Sequence, residues 1–198
     1  NNAFDKVKNA EAEGFKFIHP FDGMKTLQGS ATLGLEIANQ IKNLNTKIDN
    51  ILIAVGGGGL ISGVGSYLKQ IFPSINIVGV EPSGANGLTD SLKAGSPLQN
   101  VKVKSIADSL CAPLHMPYSF DVAKNVIDQM INVSDEQMIN SMLFTFKYLK
   151  LFLEPACVAG FSALKKNHSL NLKNQNTLIL LCGSNIDYYS WNKLVKNQ

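Results

Sequence analysis

The amino-acid sequence predicts an α/β fold built on a parallel sheet. Short apolar runs alternate with longer segments of helical periodicity, which is the order that parallel strands with helical crossovers require. The clearest run, Ile51–Val55, is apolar at every position, as expected of a strand buried on both faces. It leads directly into four consecutive glycines, Gly56–Gly59, and then into another helical segment. In such sheets, ligands bind at the carboxyl ends of the strands.

The composition is that of one folded domain, or of one domain and a fragment of another. The 198 residues are 45% hydrophobic and 17% charged, which is enough apolar material for a sizeable core. The net charge of +3 is too small to indicate a nucleic-acid partner. Three cysteines exclude a fully paired disulfide framework and a zinc site of four thiolates. The sequence shows no apolar run of membrane-spanning length and no signal peptide, so we expect a cytoplasmic protein without a membrane partner.

Helices and strands alternate in the first half of the chain. Gly14 is a typical helix C-cap, Pro73 cannot continue a helix, and the aliphatic residues between Leu33 and Ile41 have helical spacing. The predicted elements are, in order, a helix over Phe4–Gly14, a brief strand at Phe15–Ile18, a helix over Gln28–Lys42, a strand at Ile51–Val55, a helix over Leu60–Phe72 and a strand at Ile75–Val80.

The second half continues the alternation. Ser134 followed by Gln137 is the pattern of a capping box, and Pro155 favours the first turn of a helix. The predicted elements are a helix from Asn86 that gives way to irregular chain before Lys104, a helix over Tyr118–Met130, a strand at Ile131–Val133, a helix after the capping box, a helix from Pro155 to about His168 and a buried strand at Thr177–Leu181. One apolar stripe is assigned to the core: Met138, Met142 and Phe146.

The glycine run predicts a phosphate site. Consecutive glycines are conformationally costly, and they make sense where several backbone N–H groups must turn towards one anion at the start of a helix. The pattern is not a Walker A loop, because no Gly-Lys-Ser/Thr follows. It is not a clean dinucleotide fingerprint either, because Ser62 stands where the third glycine belongs, although Glu81 after the next strand keeps that alternative open. A tight strand-to-helix turn without a ligand is the structural alternative.

Further segments, taken in order, resemble the fold-type-II pyridoxal-phosphate (PLP) enzymes of the threonine/serine dehydratase and serine racemase family. Together with the glycine loop they are His19-Pro20-Phe21-Asp22, Gln28-Gly29-Ser30 with Gly34–Ile37, Val80–Ser83, Ile106–Leu110, Leu153–Ala156 and Leu181–Asn185. Each segment alone is moderately specific, and the ordered set covers nearly the whole chain. The resemblance implies a three-layer, parallel-sheet, tryptophan-synthase-β-like fold and a PLP cofactor.

The resemblance reaches only the C-terminal portion of that family. The Ser-Phe-Lys-x-Arg-Gly motif with the Schiff-base lysine is absent, and so is the Ser-x-Asn-His segment that grips the substrate carboxylate. The chain also opens without methionine, in what reads as the last turns of a helix. We therefore expect a fold that is incomplete at the N-terminus, with residues 1–28 a remnant of the small substrate domain and residues 29–198 the large PLP-binding domain. Such a chain would have no catalytic lysine and would be inactive alone.

The resemblance also implies which residues hold the cofactor. Backbone N–H groups of Gly56, Gly57, Gly58, Gly59 and Leu60 would bind its phosphate. Cys182 would lie beside the pyridine nitrogen, where a neutral thiol makes the ring a weaker electron sink than a carboxylate would. The structural alternative for Cys182 is a small core residue at the end of a strand.

Four other residues are assigned around the ring and the substrate. Glu154 would lie near the ring, and its alternative is a structural acid in the first turn of a helix. Asn185 would tie down the loop backbone. Asp108 and Ser109 would face the substrate, where Ser109 replaces the family's glycine and narrows the pocket, and the alternative for Asp108 is an ordinary turn residue. His19 reads as a structural turn residue rather than a base.

A divalent cation, Mg²⁺ or Ca²⁺, is a further expectation, because some family members bind one. Glu81 matches the family's glutamate and Ala85 would supply a backbone carbonyl, but Gly87 stands where the family has an aspartate. Hard cations require several oxygen ligands. A solvated or helix-capping Glu81 is the alternative.

The implied activity is that of a PLP-dependent threonine/serine dehydratase, an ammonia-lyase that converts a β-hydroxy amino acid to a 2-oxo acid and ammonia. Serine racemisation or elimination on another β-substituted amino acid is a close alternative. A non-catalytic module that binds a phosphate ligand is an alternative of another class. The expected partners are a small amino acid and, for the full-length protein, a second copy in a homodimer.

Overall fold

The computed structural model describes residues 2–44, 46–164, 170 and 172–196, with side chains from residue 6 onwards. Within these residues the strands are β1 (Asn50–Ala54), β2 (Asn76–Pro82), β3 (Gln129–Val133) and β4 (Thr177–Ile179). The helices are α1 (Asn2–Ala12), α2 (Met24–Leu44), α3 (Gly59–Ile71), α4 (Gly87–Ala94), α5 (Pro117–Val126), α6 (Asp135–Phe144), α7 (Pro155–Ser162) and α8 (Tyr188–Val195).

The four strands form one parallel sheet in the order β3-β2-β1-β4. Since successive side chains of a strand point to opposite faces, β1 contributes to two cores. Ile51 and Ile53 pack with residues of α2, α3 and α5, whereas Leu52 packs with residues of α6, α7 and α8. The predicted three-layer α/β architecture is thus confirmed.

The brief strand predicted at Phe15–Ile18 is wrong: the segment is irregular chain. Phe15 is 68% exposed and Ile18 is 75% exposed, and no described strand lies beside them. An isolated apolar run has no ladder partner there, so its β-propensity alone does not make a strand.

Two predicted helices end earlier than their sequence pattern indicates. The helix predicted to reach Met130 ends at Val126, because Asp128 bonds with Ile77 of β2 through both its backbone N–H and its carboxylate. Pairing with β2 thereby converts Gln129 and Met130 to strand. The helix from Pro155 ends at Ser162, and the part of that prediction from residue 165 to His168 lies outside the described residues.

Packing on the second face also departs from expectation at the end of α6. Met138 and Met142 are fully buried, as predicted, but Phe146 is 48% exposed. A π-helical turn, Thr145–Leu149, follows α6 and shifts the helical register, so the apolar stripe does not continue into the core. Similarly, β4 is shorter than predicted and half-buried, because it lies at an edge of the sheet.

The capping box of α6 is confirmed, and the predicted domain boundary lies within a helix. The Ser134 hydroxyl accepts from the Gln137 backbone N–H at 3.1 Å, and the Gln137 side chain accepts from the Ser134 N–H at 2.8 Å. Residues 28 and 29, on either side of the predicted boundary, both belong to α2, and the division into two domains stays a prediction. Among the described helices, none is long and apolar enough to cross a membrane.

Candidate functional site

A cavity of about 300 Å³ lies at the carboxyl ends of β1 and β4. It is lined by residues that follow β1 and by residues from the segments after β4 and before α7. Its principal lining residues are Pro20, Phe21, Gly56, Gly57, Gly58, Gly59, Leu60, Ser109, Leu110, Glu154, Ala156 and Cys182. The sheet topology therefore brings together loops that are more than one hundred residues apart in sequence.

The glycine loop presents the start of α3 to this cavity. Val55 N–H is fixed to the Val80 carbonyl at 2.8 Å, so the loop leaves the sheet at a defined point. Gly58 has φ of 92°, a left-handed conformation that favours glycine, and it is the N-cap of α3. The first N–H groups of a helix have no intrahelical acceptor and carry the positive end of its dipole. Such a helix N-terminus favours an anion, and the phosphate site predicted here stays a prediction.

Close packing also requires glycine in this loop. A Cβ at Gly57 would overlap the Phe21 ring, and one at Gly59 would lie 2.7 Å from the Phe21 carbonyl oxygen. On the other side, a Cβ at Gly56 would lie 3.1 Å from Cα of Leu110. The structural alternative therefore accounts for part of the glycine content, while the cavity marks the side on which a ligand has room.

Sequence reasoning did not place Phe21 in the cavity, although it singled out the HPFD segment that contains it. The His19 Nδ1 accepts from the Phe21 backbone N–H at 3.3 Å, which agrees with a structural role for His19. The Asp22 carboxylate accepts from the Ser119 N–H at 2.7 Å, and the Ser62 hydroxyl of α3 donates to the Ser119 carbonyl at 2.9 Å. These bonds hold Phe21 against the glycine loop.

Glu154 connects the start of α7 with the segment after β4. Its side chain is 9% exposed, and its Oε2 accepts from the Asn185 backbone N–H at 3.0 Å. A Cβ at Gly183 would lie 2.5 Å from Glu154 Oε1, so the glycine permits this close approach. The backbone of Asn185, rather than its side chain, makes the contact that holds the loop.

Cys182 is an exposed thiol that lines the cavity beside Glu154. Partial burial of its sulfur and the neighbouring Glu154 charge raise the pKa of Cys182, so the thiol is neutral at physiological pH. Cys157, in the first turn of α7, is buried, and desolvation raises its pKa to about 12. Of these two thiols, Cys182 is the one that a ligand can reach.

The two predicted substrate-side residues lie on different sides of a 3-10 turn, Asp108–Leu110. Ser109 lines the main cavity, but Asp108 lines a neighbouring cavity of about 310 Å³ together with Asn185 and Asp187. Glu154 borders both cavities. The Asp108 carboxylate accepts from the Ser109 N–H at 2.9 Å, so it orients the serine.

Glu81 is a buried carboxylate that caps α4. Its oxygens accept from Leu88 N–H at 2.8 Å, Thr89 N–H at 2.9 Å and the Thr89 hydroxyl at 2.7 Å. Desolvation outweighs these bonds and raises its pKa from 4.5 to about 7. The helix-capping alternative for Glu81 is therefore observed. Within the described part of the chain, no three His, Cys, Asp or Glu side chains are grouped as metal ligands, and the cation site stays a prediction.

Comparison with protein families gives the identity of the fold. A family model described as "Pyridoxal-phosphate dependent enzyme" matches residues 1–183. The chain belongs to the pyridoxal-phosphate dependent enzyme family. The recognised resemblance is thus confirmed.

Curated relatives of this PLP-family chain include dehydratases. Phenylserine dehydratase from Ralstonia pickettii is 39% identical over 186 residues, which are 93% of this chain and 56% of that protein. Threonine dehydratase from Nicotiana attenuata is 34% identical over 195 residues, which are 94% of this chain and 31% of that protein. The chain thus spans about half of the first relative and about a third of the second.

Solved structures agree with this assignment. The crystal structure of a T.th. threonine deaminase superposes with a TM-score of 0.85 at 28% identity, covering 92% of this chain and 65% of that one. Maize serine racemase superposes with a TM-score of 0.84 at 30% identity, covering 98% of this chain and 59% of that one. The neighbours therefore include both dehydratase and racemase members of one fold.

The residues of the cavity fit the cofactor that the family name implies. The glycine loop is a cradle in which side chains would clash with Phe21, and its helix N-terminus suits a phosphate. The neutral thiol of Cys182 suits a pyridine nitrogen that is not protonated. Among the described residues that line the cavity, none is a lysine.

Proposed function

We propose that the protein is a PLP-dependent threonine/serine dehydratase, and that this chain forms the phosphate-binding part of its active site. The observation that carries the proposal is the convergence of the glycine loop, Ser109, Glu154 and Cys182 on one cavity. The names of the relatives support an elimination on a β-hydroxy amino acid.

Bound PLP would supply an electron sink for the α-carbon of an amino acid. The chain's own residues would bind and orient it: the N–H groups from Gly56 to Leu60 bind the phosphate, and Phe21 packs the loop into place. Cys182 would offer the ring nitrogen a neutral thiol, which would stabilise no positive charge there. A neutral thiol at that position would suit elimination, because the departing β-substituent takes the electron pair with it. The Asn185 backbone N–H holds the Glu154 carboxylate in place, so Glu154 would orient the bound cofactor rather than react.

Elimination in this family also requires a lysine at the α-carbon, and the described lining residues do not provide one. We therefore propose that the 198-residue chain alone is inactive and that activity belongs to a protein that contains the lysine. The choice between serine, threonine and a bulkier β-hydroxy amino acid is likewise proposed to depend largely on residues outside these 198. A homodimer is proposed on the resemblance alone, and so is a divalent cation at Glu81 and Ala85.

The dehydratase proposal is tested on protein from its native source. Release of 2-oxo acid from L-serine or L-threonine supports it, and inertness towards both overturns it. Formation of D-serine at a comparable rate would favour the racemase alternative, which the similarity to maize serine racemase supports. Thermal unfolding with and without Mg²⁺ or Ca²⁺ tests the cation site. The ion should raise the melting temperature of the wild type but not that of Glu81→Gln.

A non-catalytic phosphate-ligand module is the second candidate, and the lack of a lysine among the described lining residues favours it. Borohydride reduction of the native-source protein followed by peptide mapping separates the two. A pyridoxyl-lysine supports the enzyme and identifies the lysine. The absence of any adduct, on a protein that retains PLP by non-covalent binding, supports the binding module.

A further inference from the structure

His19 lies two residues before Phe21, in the segment that reaches the cavity, and the proposed function gives its imidazole no part. The ring nitrogen Nε2 is buried without a hydrogen-bond partner, whereas Nδ1 accepts from the Phe21 backbone N–H at 3.3 Å. A neutral imidazole carries its proton on one nitrogen only, so the accepting Nδ1 places that proton on Nε2. A buried donor without a partner costs free energy, which makes the contact of Nδ1 with Phe21 the feature that the imidazole adds.

The same imidazole packs edge-on against the Phe21 ring. The two ring centroids are 4.5 Å apart at an interplanar angle of 88°. The Phe17 ring forms a second T-shaped contact with His19, with the centroids 5.6 Å apart at 70°. Aromatic rings favour this arrangement. His19 therefore holds Phe21 at two points, the backbone N–H and the ring.

Phe21 is the residue of this segment that meets the glycine loop. A Cβ at Gly57 would overlap the Phe21 ring, and a Cβ at Gly59 would lie 2.8 Å from Cα of Phe21. Both glycines and Phe21 line the cavity at the start of α3. Movement of Phe21 away from the loop would open space beside these two glycines, so the conformations available to the loop backbone depend on where Phe21 is held.

Other anchors of the segment do not involve the imidazole. The Thr26 hydroxyl donates to the His19 carbonyl at 2.9 Å, and the Asp22 carboxylate accepts from the Ser119 N–H at 2.7 Å. Both bonds can form whatever side chain stands at position 19. The segment should therefore stay in place when the imidazole is replaced, and the effect of Nδ1 on the loop can be measured separately.

We propose that His19 is a positioning residue for the phosphate site: its Nδ1 holds Phe21 against Gly57 and Gly59 and thereby keeps the glycine loop in the conformation that binds the phosphate. The inference rests on the proposed function, since it concerns the same cavity. His19 is not among the described residues that line the cavity, and it acts through Phe21. A loop that is already ordered binds its ligand more tightly, because less freedom is lost on binding.

The test measures the affinity of the 198-residue chain for deoxypyridoxine phosphate and for deoxypyridoxine, which lacks the phosphate. These PLP analogues have no aldehyde, so they cannot form Schiff bases with surface lysines. In His19→Phe, which keeps an aromatic ring but removes the acceptor, deoxypyridoxine phosphate should bind roughly three- to tenfold more weakly, while the affinity for deoxypyridoxine stays the same. His19→Asn offers an acceptor oxygen near the position of Nδ1 and should recover most of the lost affinity.

A pH profile separates this role from general packing. Burial lowers the pKa of His19 below its ordinary value of 6.5, so Nδ1 is an acceptor at pH 7, and protonation converts it to a donor that cannot hold the Phe21 N–H. Asp22 is the charged group that acts on the ring, and it favours the protonated form. Over the pH range in which NMR shows the His19 ring to titrate, acidification should weaken binding of deoxypyridoxine phosphate more in wild type than in His19→Asn. Ionisation of the ligand phosphate is common to both proteins and cancels in the ratio of their affinities.

Trp191→Phe is the matched control, because it also removes a buried ring N–H without a partner, at a residue outside the described lining of the cavity. It should leave both affinities unchanged. A folded His19→Phe variant with the original preference for the phosphorylated analogue overturns the inference, and so does an equal loss for both analogues. If His19→Phe does not fold, the pH comparison decides alone, and equal profiles of wild type and His19→Asn overturn the inference. An unsubstituted chain without any preference for the phosphorylated analogue would instead refute the proposed function itself.

Discussion

The Glu81 carboxylate and Thr89 form a paired contact in which Oε2 accepts from both the backbone N–H and the hydroxyl of Thr89, at 2.9 and 2.7 Å. Glu81 lies at the end of β2 and Thr89 in the first turn of α4, so the contact joins the sheet to the helix. Glu81 is fully buried, so ionisation of its carboxyl group costs free energy. The stability of the fold should therefore depend on the charge of one side chain.

A pH-dependent stability is the first prediction. The pKa of Glu81 is about 7 in the folded chain against 4.5 ordinarily, so between these values the folded state binds a proton that the unfolded state has lost. Its contribution to the unfolding free energy is full below pH 4.5 and falls, by up to about 3 kcal/mol, as pH rises to 7. Denaturant unfolding of wild type and Glu81→Gln from pH 4 to 8 checks this. A difference between them that does not change with pH would contradict it.

Substitution of Gly57 by alanine should damage both folding and binding. The new Cβ would overlap the Phe21 ring, so we expect a loss of about 1–3 kcal/mol in unfolding free energy and much weaker PLP binding. Gly29→Ala is the control, since nothing lies within 4 Å of its Cβ and it lies inside α2, where alanine should stabilise by about 0.5–1 kcal/mol. Phe21→Ala combined with Gly57→Ala should recover folding but not the full affinity. Equal stability of Gly57→Ala and wild type would refute this packing.

Cys182 should be the thiol that PLP protects. It is exposed in the cavity, whereas Cys111 is half-buried and Cys157 is buried, so iodoacetamide should reach and modify Cys182 first. Prior addition of PLP should slow that modification and leave the rate at Cys111 unchanged. Mass spectrometry of the alkylated peptides measures both rates, with Cys182→Ser as the control. Modification of Cys182 at the same rate with PLP present would place the cofactor elsewhere.

Removal of the Glu154 acceptor should loosen the segment after β4. Glu154→Leu leaves the Asn185 N–H without its partner, which should cost about 1–2 kcal/mol and speed hydrogen exchange at that amide. Glu154→Gln keeps an acceptor oxygen and should retain most of the protection. Exchange at the Leu52 amide in the buried strand β1 is the internal reference. Unchanged exchange at Asn185 in Glu154→Leu would show that the loop is held by other contacts.

Much of the fold follows from local patterns. The uninterrupted apolar run that forms β1 and the capping box at Ser134 are recognisable from residues adjacent in sequence, because hydrophobic period and turn chemistry are local properties. Errors occur where pairing or exposure overrides the local pattern. Phe15–Ile18 has no strand beside it, and Gln129–Met130 leave the helical pattern to pair with β2.

The family and the parallel α/β class are predictable from the residues alone, because the ordered segments and the alternation of apolar runs with helical periodicity are properties of the sequence. The phosphate site at the four glycines stays a prediction. The packing of Phe21 against the glycine loop emerges only in the folded chain. Folding also separates Asp108 from Ser109, two neighbours in sequence that line different cavities. Such contacts depend on the packing of elements far apart along the chain, which no local period encodes.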